Sequence, residues 1–229
     1  MLLGILGGLG PMSTAYFMEM IIGFTKADCD QQHIDMLVSS RATTYDRTAY
    51  ILGNSPDNPL DMMIPDAQKL VRAGCSLIAI PCNTAHYFYE QIQMAVDVPV
   101  LNIMDQTIKE VKSAGCKKAG ILATTGTVST GAYQQRCAGA GLDFAVPGEK
   151  EQGRIMDLIY GRIKSGEAVN LDIFEEVVHT LKAQGCDAII LGCTELSELK
   201  RNFKLGEMYF DSLEILAKAV VTACGKTLK

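Results

Sequence analysis

Hydrophobic and polar positions along the chain alternate between two rhythms. Residues 2–7 form a continuous apolar run that ends in a glycine-rich turn. From about 12 to 26, Phe17, Met20, Ile21 and Phe24 recur at helical spacing. Apolar strand-like runs at 34–38, 77–80 and 99–103 are then separated by amphipathic stretches at 60–73 and 85–96. Beyond them, helical patterns at 104–114, 130–140, 151–165, 171–184, 195–202 and 212–224 interleave with strand-like runs at 119–123, 143–146, 188–191 and 208–210. Continuous apolar strands between amphipathic helices predict an α/β fold, with parallel sheets covered on both faces.

Two segments of the first half recur in the second. G-I-L-G-G-L-G-P-M-S-T at 4–14 matches G-I-L-A-T-T-G-T-V-S-T at 120–130, so Gly4, Ile5, Leu6, Gly10, Ser13 and Thr14 each return 116 positions later. A-G-C-S-L-I-A-I-P-C-N-T at 73–84 matches Q-G-C-D-A-I-I-L-G-C-T-E at 184–195, an offset of 111. The order strand, glycine turn, helix, then strand, cysteine, helix is therefore present twice. Each half is predicted to be one α/β domain: residues 1–100 with 207–229, and residues 101–206. Open parallel sheets bind ligands beyond the carboxyl ends of their strands. Two halves facing each other would place Cys82 and Cys193 on opposite sides of one cleft.

Composition narrows the chemistry. The 229 residues suffice for one large or two small domains. A net charge of −5 disfavours nucleic acid as a partner. No apolar segment reaches membrane-spanning length, and the apolar start lacks a basic region and a cleavage pattern. Eight cysteines without a secretion signal indicate a reduced, cytoplasmic protein. There is no C-x-x-C, and His33, His86 and His179 are not at zinc-ligand spacing, so no metal is expected.

Most of the cysteines read as small buried hydrophobes. Cys82 and Cys193 differ because Asn83 and Thr84, and Thr194 and Glu195, follow them at once. A thiol leaving a strand among hydroxyl and amide groups suits a site. Inverting a carbon centre by proton transfer needs a base on one face and an acid on the other, with the roles exchanged in reverse. A pseudo-symmetric pair of thiols meets that need. His86 lies four residues after Cys82 and could form a Cys–His nucleophile pair, which would imply hydrolysis. Cys193 has no matching histidine.

P-C-N-T-A-H at 81–86 and G-C-T-E-L at 192–196 resemble the paired cysteine motifs of the aspartate/glutamate racemase family. G-G-L-G-P-M-S-T at 7–14, D-R-T-A-Y-I-L-G at 46–53 and A-T-T-G-T at 123–127 are similar to that family too. The resemblance implies two Rossmann-like domains with the active site between them, no cofactor, and commonly a homodimer. It implies cofactor-independent racemisation of an acidic amino acid, aspartate before glutamate, with Cys82 and Cys193 as the acid/base pair. By the same resemblance, Asn83, Thr84, Thr124, Thr125, Thr127 and Thr194 would hold the α-carboxylate and amino groups. Met12, Ser13 and Thr14 would line the cleft. Arg47 and Lys164 match positions tied to a substrate's side-chain carboxylate.

One stretch departs from the pattern. Where the family carries prolines and an amide before D-R-T, this chain reads S-R-A-T-T-Y at 40–45 and adds Arg41. Glu195 could charge a helix start or bind an ammonium group. The partial G-x-G at 8–10 lacks the third glycine of a dinucleotide fingerprint and better suits close backbone approach to a carboxylate. The competing readings are a racemase of broad specificity and a single-cysteine enzyme or ligand-binding protein that keeps the fold without racemase activity.

Overall fold

The computed structural model describes residues 1–169, 171–203 and 205–229. The first half contains β1 (Leu2–Gly7), α1 (Pro11–Phe24), β2 (Asp35–Ser40), α2 (Arg47–Ile51), α3 (Leu60–Arg72), β3 (Leu77–Ala79), α4 (Tyr89–Met94), β4 (Val100–Leu101) and α5 (Ile103–Ser113). The second contains β5 (Lys118–Leu122), α6 (Thr125–Ser129), α7 (Ala132–Gly139), β6 (Asp143–Ala145), α8 (Glu149–Met156), α9 (Leu171–Ala183), β7 (Ala188–Leu191), α10 (Ser197–Phe203), β8 (Tyr209–Asp211) and α11 (Ser212–Ala223). No helix among the described residues is long and apolar enough to cross a membrane.

Each half builds one four-stranded parallel sheet. The strand orders are β2-β1-β3-β4 and β6-β5-β7-β8, the same topology twice. The central strands are apolar, apart from Lys118 at the start of β5, because both of their faces are covered: β7 is buried along its whole length. The edge strand β2 instead alternates between exposed and partly buried residues. The duplication extends past the sequence matches. Asn102 caps α5 by accepting from the amides of Met104 (3.0 Å) and Asp105 (3.2 Å). Asp211 caps α11 in the equivalent way, accepting from Leu213 (2.9 Å) and Glu214 (3.4 Å). Each fourth strand therefore ends in a side-chain cap and a helix.

Those two helices set the architecture. One central core joins Leu3, Ile5 and Phe17 of the first half to Ile108 of α5, Ile121 and Ile190 of the second sheet, and Leu216 and Val220 of α11. The outer faces carry separate cores, under α3 and α4 on one side and under α8 and α9 on the other. Residues 207–229, grouped by sequence with the first domain, divide: β8 pairs with β7 in the second sheet, while α11 packs on both α1 and α5.

Three helical predictions change in detail. The stretch 85–96 opens as a 3₁₀ turn (Thr84–Phe88) before α4, because Asn83 and Thr84 face other partners. The stretch 130–140 is helical only from Ala132, as α7, because Gly131 at φ +68° separates it from α6, a short helix that precedes the predicted stretch. The stretch 151–165 begins as α8 and widens into a π-helical segment over Asp157–Ile163. The short helix α2, capped by Asp46 through the Ala49 amide (2.7 Å), was not evident from periodicity.

Candidate active site

Cys82 lies just past β3 and Cys193 just past β7, at equivalent ends of equivalent strands. Each is followed by a 3₁₀ turn, Thr84–Phe88 and Thr194–Leu196. The two thiols are only 6% and 5% exposed. Both line one cavity between the halves, with Arg47, Asn83, Thr84, Thr124, Lys164, Thr194 and Glu195 among the other walls. An outer vestibule, lined in part by Met12, Ser13, Arg47, Lys164 and Glu195, shares three of those residues.

The glycine turn after β1 brings the halves close. Gly8 has φ +79°, and a Cβ there would lie 2.3 Å from the Arg41 backbone nitrogen. At Gly10, with φ +138°, a Cβ would lie 2.9 Å from Glu195 Oε1. Glu195 of the second half therefore packs directly on the backbone of the first.

Glu195 is the electrostatic centre of the cavity. The Cys193 thiol donates to its Oε2 at 2.9 Å, and the Thr194 hydroxyl donates to the same oxygen at 3.4 Å. Lys164 Nζ lies 3.3 Å from Oε1 and 4.6 Å from the centre of the Tyr160 ring. Burial first, and then the adjacent carboxylate, push the Cys193 thiol well above its ordinary range. Burial would lower Lys164, but Glu195, Tyr160 and both thiols act on it and raise it instead. Cys193 is thus held as a neutral proton donor beside an ammonium group.

Hydroxyls join the halves on the other wall. Thr84 Oγ1 lies 3.0 Å from both Thr124 Oγ1 and Thr127 Oγ1, which are 3.1 Å apart. Asn83 is 2% exposed and bonds to Tyr133 and Ser212. Thr14 is engaged in the glycine turn, accepting from the Gly8 amide and donating to the Gly10 carbonyl, both at 3.0 Å. Met12 is 71% exposed at the vestibule, where Ser13 is buried. Thr125 stands outside the cavity wall: its amide donates to Met156 Sδ (3.1 Å), and its hydroxyl accepts from Gln152 (3.3 Å).

The cations each have partners. Arg47 donates to the carbonyls of Leu9 (3.0 Å), Tyr45 (3.0 Å) and Thr44 (3.3 Å), leaving a buried Nε without one. Arg41 forms a two-pronged pair with Asp66 at 2.5 and 2.7 Å and is not among the residues that line the cavity or the vestibule. That pairing holds the Asp66 carboxyl down at about 2.

His86 is not a partner of the Cys82 thiol. Its Nδ1 lies 2.8 Å from the Cys82 carbonyl, and its Nε2 accepts from the Ile103 amide at 3.1 Å. This fixes the tautomer with the proton on Nδ1. Burial pushes the ring down to about 4, so it is neutral. The Cys–His arrangement that would suit hydrolysis is absent from this geometry.

Three lining residues escaped sequence reasoning: Leu9, Thr48 and Tyr160. Tyr160 donates to Thr48 Oγ1 (3.2 Å) and lies 3.3 Å from Asp46 Oδ2, so it bridges the halves. Its only sequence signal was its place four residues before Lys164; the structure puts it on the π-helical segment, a rare geometry frequent at functional sites.

Comparison with known proteins gives the chain's family and its structural relatives. Residues 6–220 match the Asp/Glu/hydantoin racemase family. The chain is 31% identical to the broad specificity amino-acid racemase RacX of Bacillus subtilis over 236 aligned positions, 96% of this chain and 97% of that protein. Its structure is similar to that of Picrophilus torridus aspartate racemase, with a TM-score of 0.88 at 27% identity, covering 100% of this chain and 96% of that one. An aspartate racemase homologue from Pyrococcus horikoshii gives a TM-score of 0.78 at 26% identity, covering 98% and 99%. With its duplicated sheets, its two cysteine turns and a match along nearly its whole length, this chain belongs to the Asp/Glu/hydantoin racemase family.

Proposed function

We propose that the chain racemises an α-amino acid without a cofactor, by proton transfer between Cys82 and Cys193. The observation that carries this reading is the pair of thiols, brought from equivalent positions of two duplicated halves to one buried cavity. In the proposed cycle Cys193, held protonated beside Glu195, is the acid, and Cys82 acts as the base. The Cys82 thiolate takes the Cα proton as an S–H bond forms and the C–H bond electrons pass to Cα. Cys193 then delivers its proton to the opposite face and is left as the thiolate. The reverse direction exchanges the roles. Lys164, within electrostatic reach of both sulfurs, favours whichever thiolate is present.

For the substrate, we infer a broad range in which aspartate and glutamate are not privileged. Arg41 is paired with Asp66 and Lys164 with Glu195, and Arg47 spends both terminal nitrogens on three carbonyls, so only the Arg47 Nε is left without a partner for a side-chain carboxylate. The specificity named for RacX agrees with this choice. The likeness to an aspartate racemase supports the narrower, acidic reading. We further propose a cytoplasmic homodimer, as the reduced cysteines and the family resemblance suggest.

Both enantiomers of acidic, neutral and basic amino acids, incubated with the protein in D₂O, would show Cα–H loss by NMR. Inversion is followed by chiral chromatography. Exchange from neither enantiomer of any substrate would end the racemase reading. Turnover of acidic amino acids alone would restore the aspartate and glutamate preference.

A further inference from the structure

Asn83 follows Cys82 and lines the cavity, yet two of its bonds run away from it into the central core. The direction of each bond can be fixed in turn. The Leu191 carbonyl can only accept, so the Ser212 hydroxyl donates to it, at 2.7 Å. Ser212 Oγ is then free to accept, and it receives Asn83 Nδ2–H at 2.9 Å. Tyr133 is fully buried, and burial raises its phenol well above the ordinary range, so it keeps its proton. It donates to Asn83 Oδ1 at 2.6 Å. These two contacts leave the amide with one orientation, oxygen toward Tyr133 and nitrogen toward Ser212. The second Nδ2 hydrogen is the amide donor with no partner among the described residues.

The same chain of bonds joins the two cysteine turns. Cys82 adjoins Asn83, and Leu191 stands two residues before Cys193. Tyr133 comes from α7 and Ser212 from the first residue of α11, so three separate segments meet at this amide, and β7 joins them through Ser212. All three side chains are nearly or wholly inaccessible to solvent.

We propose that Tyr133 and Ser212 are positioning residues that lock Asn83 as a hydrogen-bond donor to the substrate's α-carboxylate. This rests on the racemase reading and adds to it two residues that no motif contains. Neither touches the substrate; both act by forbidding the amide flip that would present an oxygen to a carboxylate. Without Tyr133's hydroxyl or Ser212's, the amide is free to turn, and binding loses a hydrogen bond to a charged group.

The test is a set of kinetic cycles on the full-length protein, with Tyr133→Phe, Ser212→Ala, Asn83→Ala and their combinations. Each single change is expected to raise KM roughly ten-fold, the low end for such a bond, with a smaller effect on kcat. In the Asn83→Ala background, Tyr133→Phe and Ser212→Ala should have no further effect on KM. A merely structural role would leave their effects additive there, and that result overturns the proposal. So does an unchanged KM in both single variants. If Ser212→Ala fails to fold, Tyr133→Phe, which keeps the buried ring, carries the cycle alone. A wild-type protein that exchanges no Cα hydrogen would mark failure of the racemase reading itself, and this inference would fall with it.

Discussion

Replacing Glu195 by Gln removes one negative charge from a carboxylate that is 5% exposed and accepts from three donors. Size and shape are kept, so the change isolates the charge. Burial would still raise the Cys193 thiol, but the second cause of its elevation would vanish. A hydrogen bond to a charged group contributes about 1.5–3 kcal/mol, and 1.36 kcal/mol corresponds to about one pH unit. The pH at which Cys193 becomes a thiolate should therefore fall by about one to two units. Lys164, left 28% exposed without its carboxylate, should also cost stability. Removing one partner of a fully buried pair costs about 3–5 kcal/mol, and partial solvation reduces this to roughly 1–3 kcal/mol. The assay is iodoacetamide alkylation across pH, resolved by peptide mass spectrometry so that Cys193 is read apart from the other seven cysteines. A midpoint that stays in place, or moves upward, would refute the claim that Glu195 holds the Cys193 proton.

Other changes probe the neighbouring features. Thr84→Val removes the hydroxyl that bonds to both Thr124 and Thr127, and should cost about 1–3 kcal/mol in urea unfolding. His86, held near 4 when folded against 6.5 unfolded, gives stability present above about pH 6.5 that drains as pH falls towards 4. Asp211, raised to about 6 by burial, acts in the opposite sense, so the two must be separated by difference. The stability gap between wild type and His86→Gln should accordingly change by about 3 kcal/mol in favour of the variant between pH 7 and pH 4, measured by denaturant unfolding. A constant gap would mean that His86 is not held neutral. Arg41→Ala should lower thermal stability and let the Asp66 carboxyl titrate higher than about 2, while the relative kcat/KM values across substrates stay the same. A changed substrate order would show that Arg41 does reach the site.

The repeated G-I-L and G-C segments already contained the fold's symmetry, because a buried parallel strand and the turn beyond it constrain residue type strongly. They marked β1 with β5 and β3 with β7, and from these both thiols could be placed. The equivalence of β4–α5 and β8–α11 was hidden because it rests on cap geometry, where Asn102 and Asp211 differ in identity but accept the same bonds. The central core was hidden for a related reason. Helical periodicity shows which face of α11 is apolar, not that α1 and α5 cover it. Within the site, Lys164 and Glu195 were named, but their mutual contact lies 31 residues apart in sequence and depends on the π-helical segment. Tyr133 and Ser212 were invisible because their part is set by bond direction, which no sequence spacing encodes.

The two-thiol account is tested most directly by Cys82→Ser and Cys193→Ser, each given either enantiomer of the preferred substrate in D₂O. General acid–base groups contribute about 10²–10⁴-fold, so each variant should lose inversion by at least about that much. Because the interconverted forms have equal free energy, kcat/KM must fall equally in the two directions. The remaining thiol can still remove a proton from the face it addresses and return a deuteron there. One variant should therefore exchange the Cα hydrogen of only one enantiomer, and the other variant that of its mirror image. Full inversion by either variant, or exchange of the same enantiomer by both, would contradict the assignment of one thiol to each face.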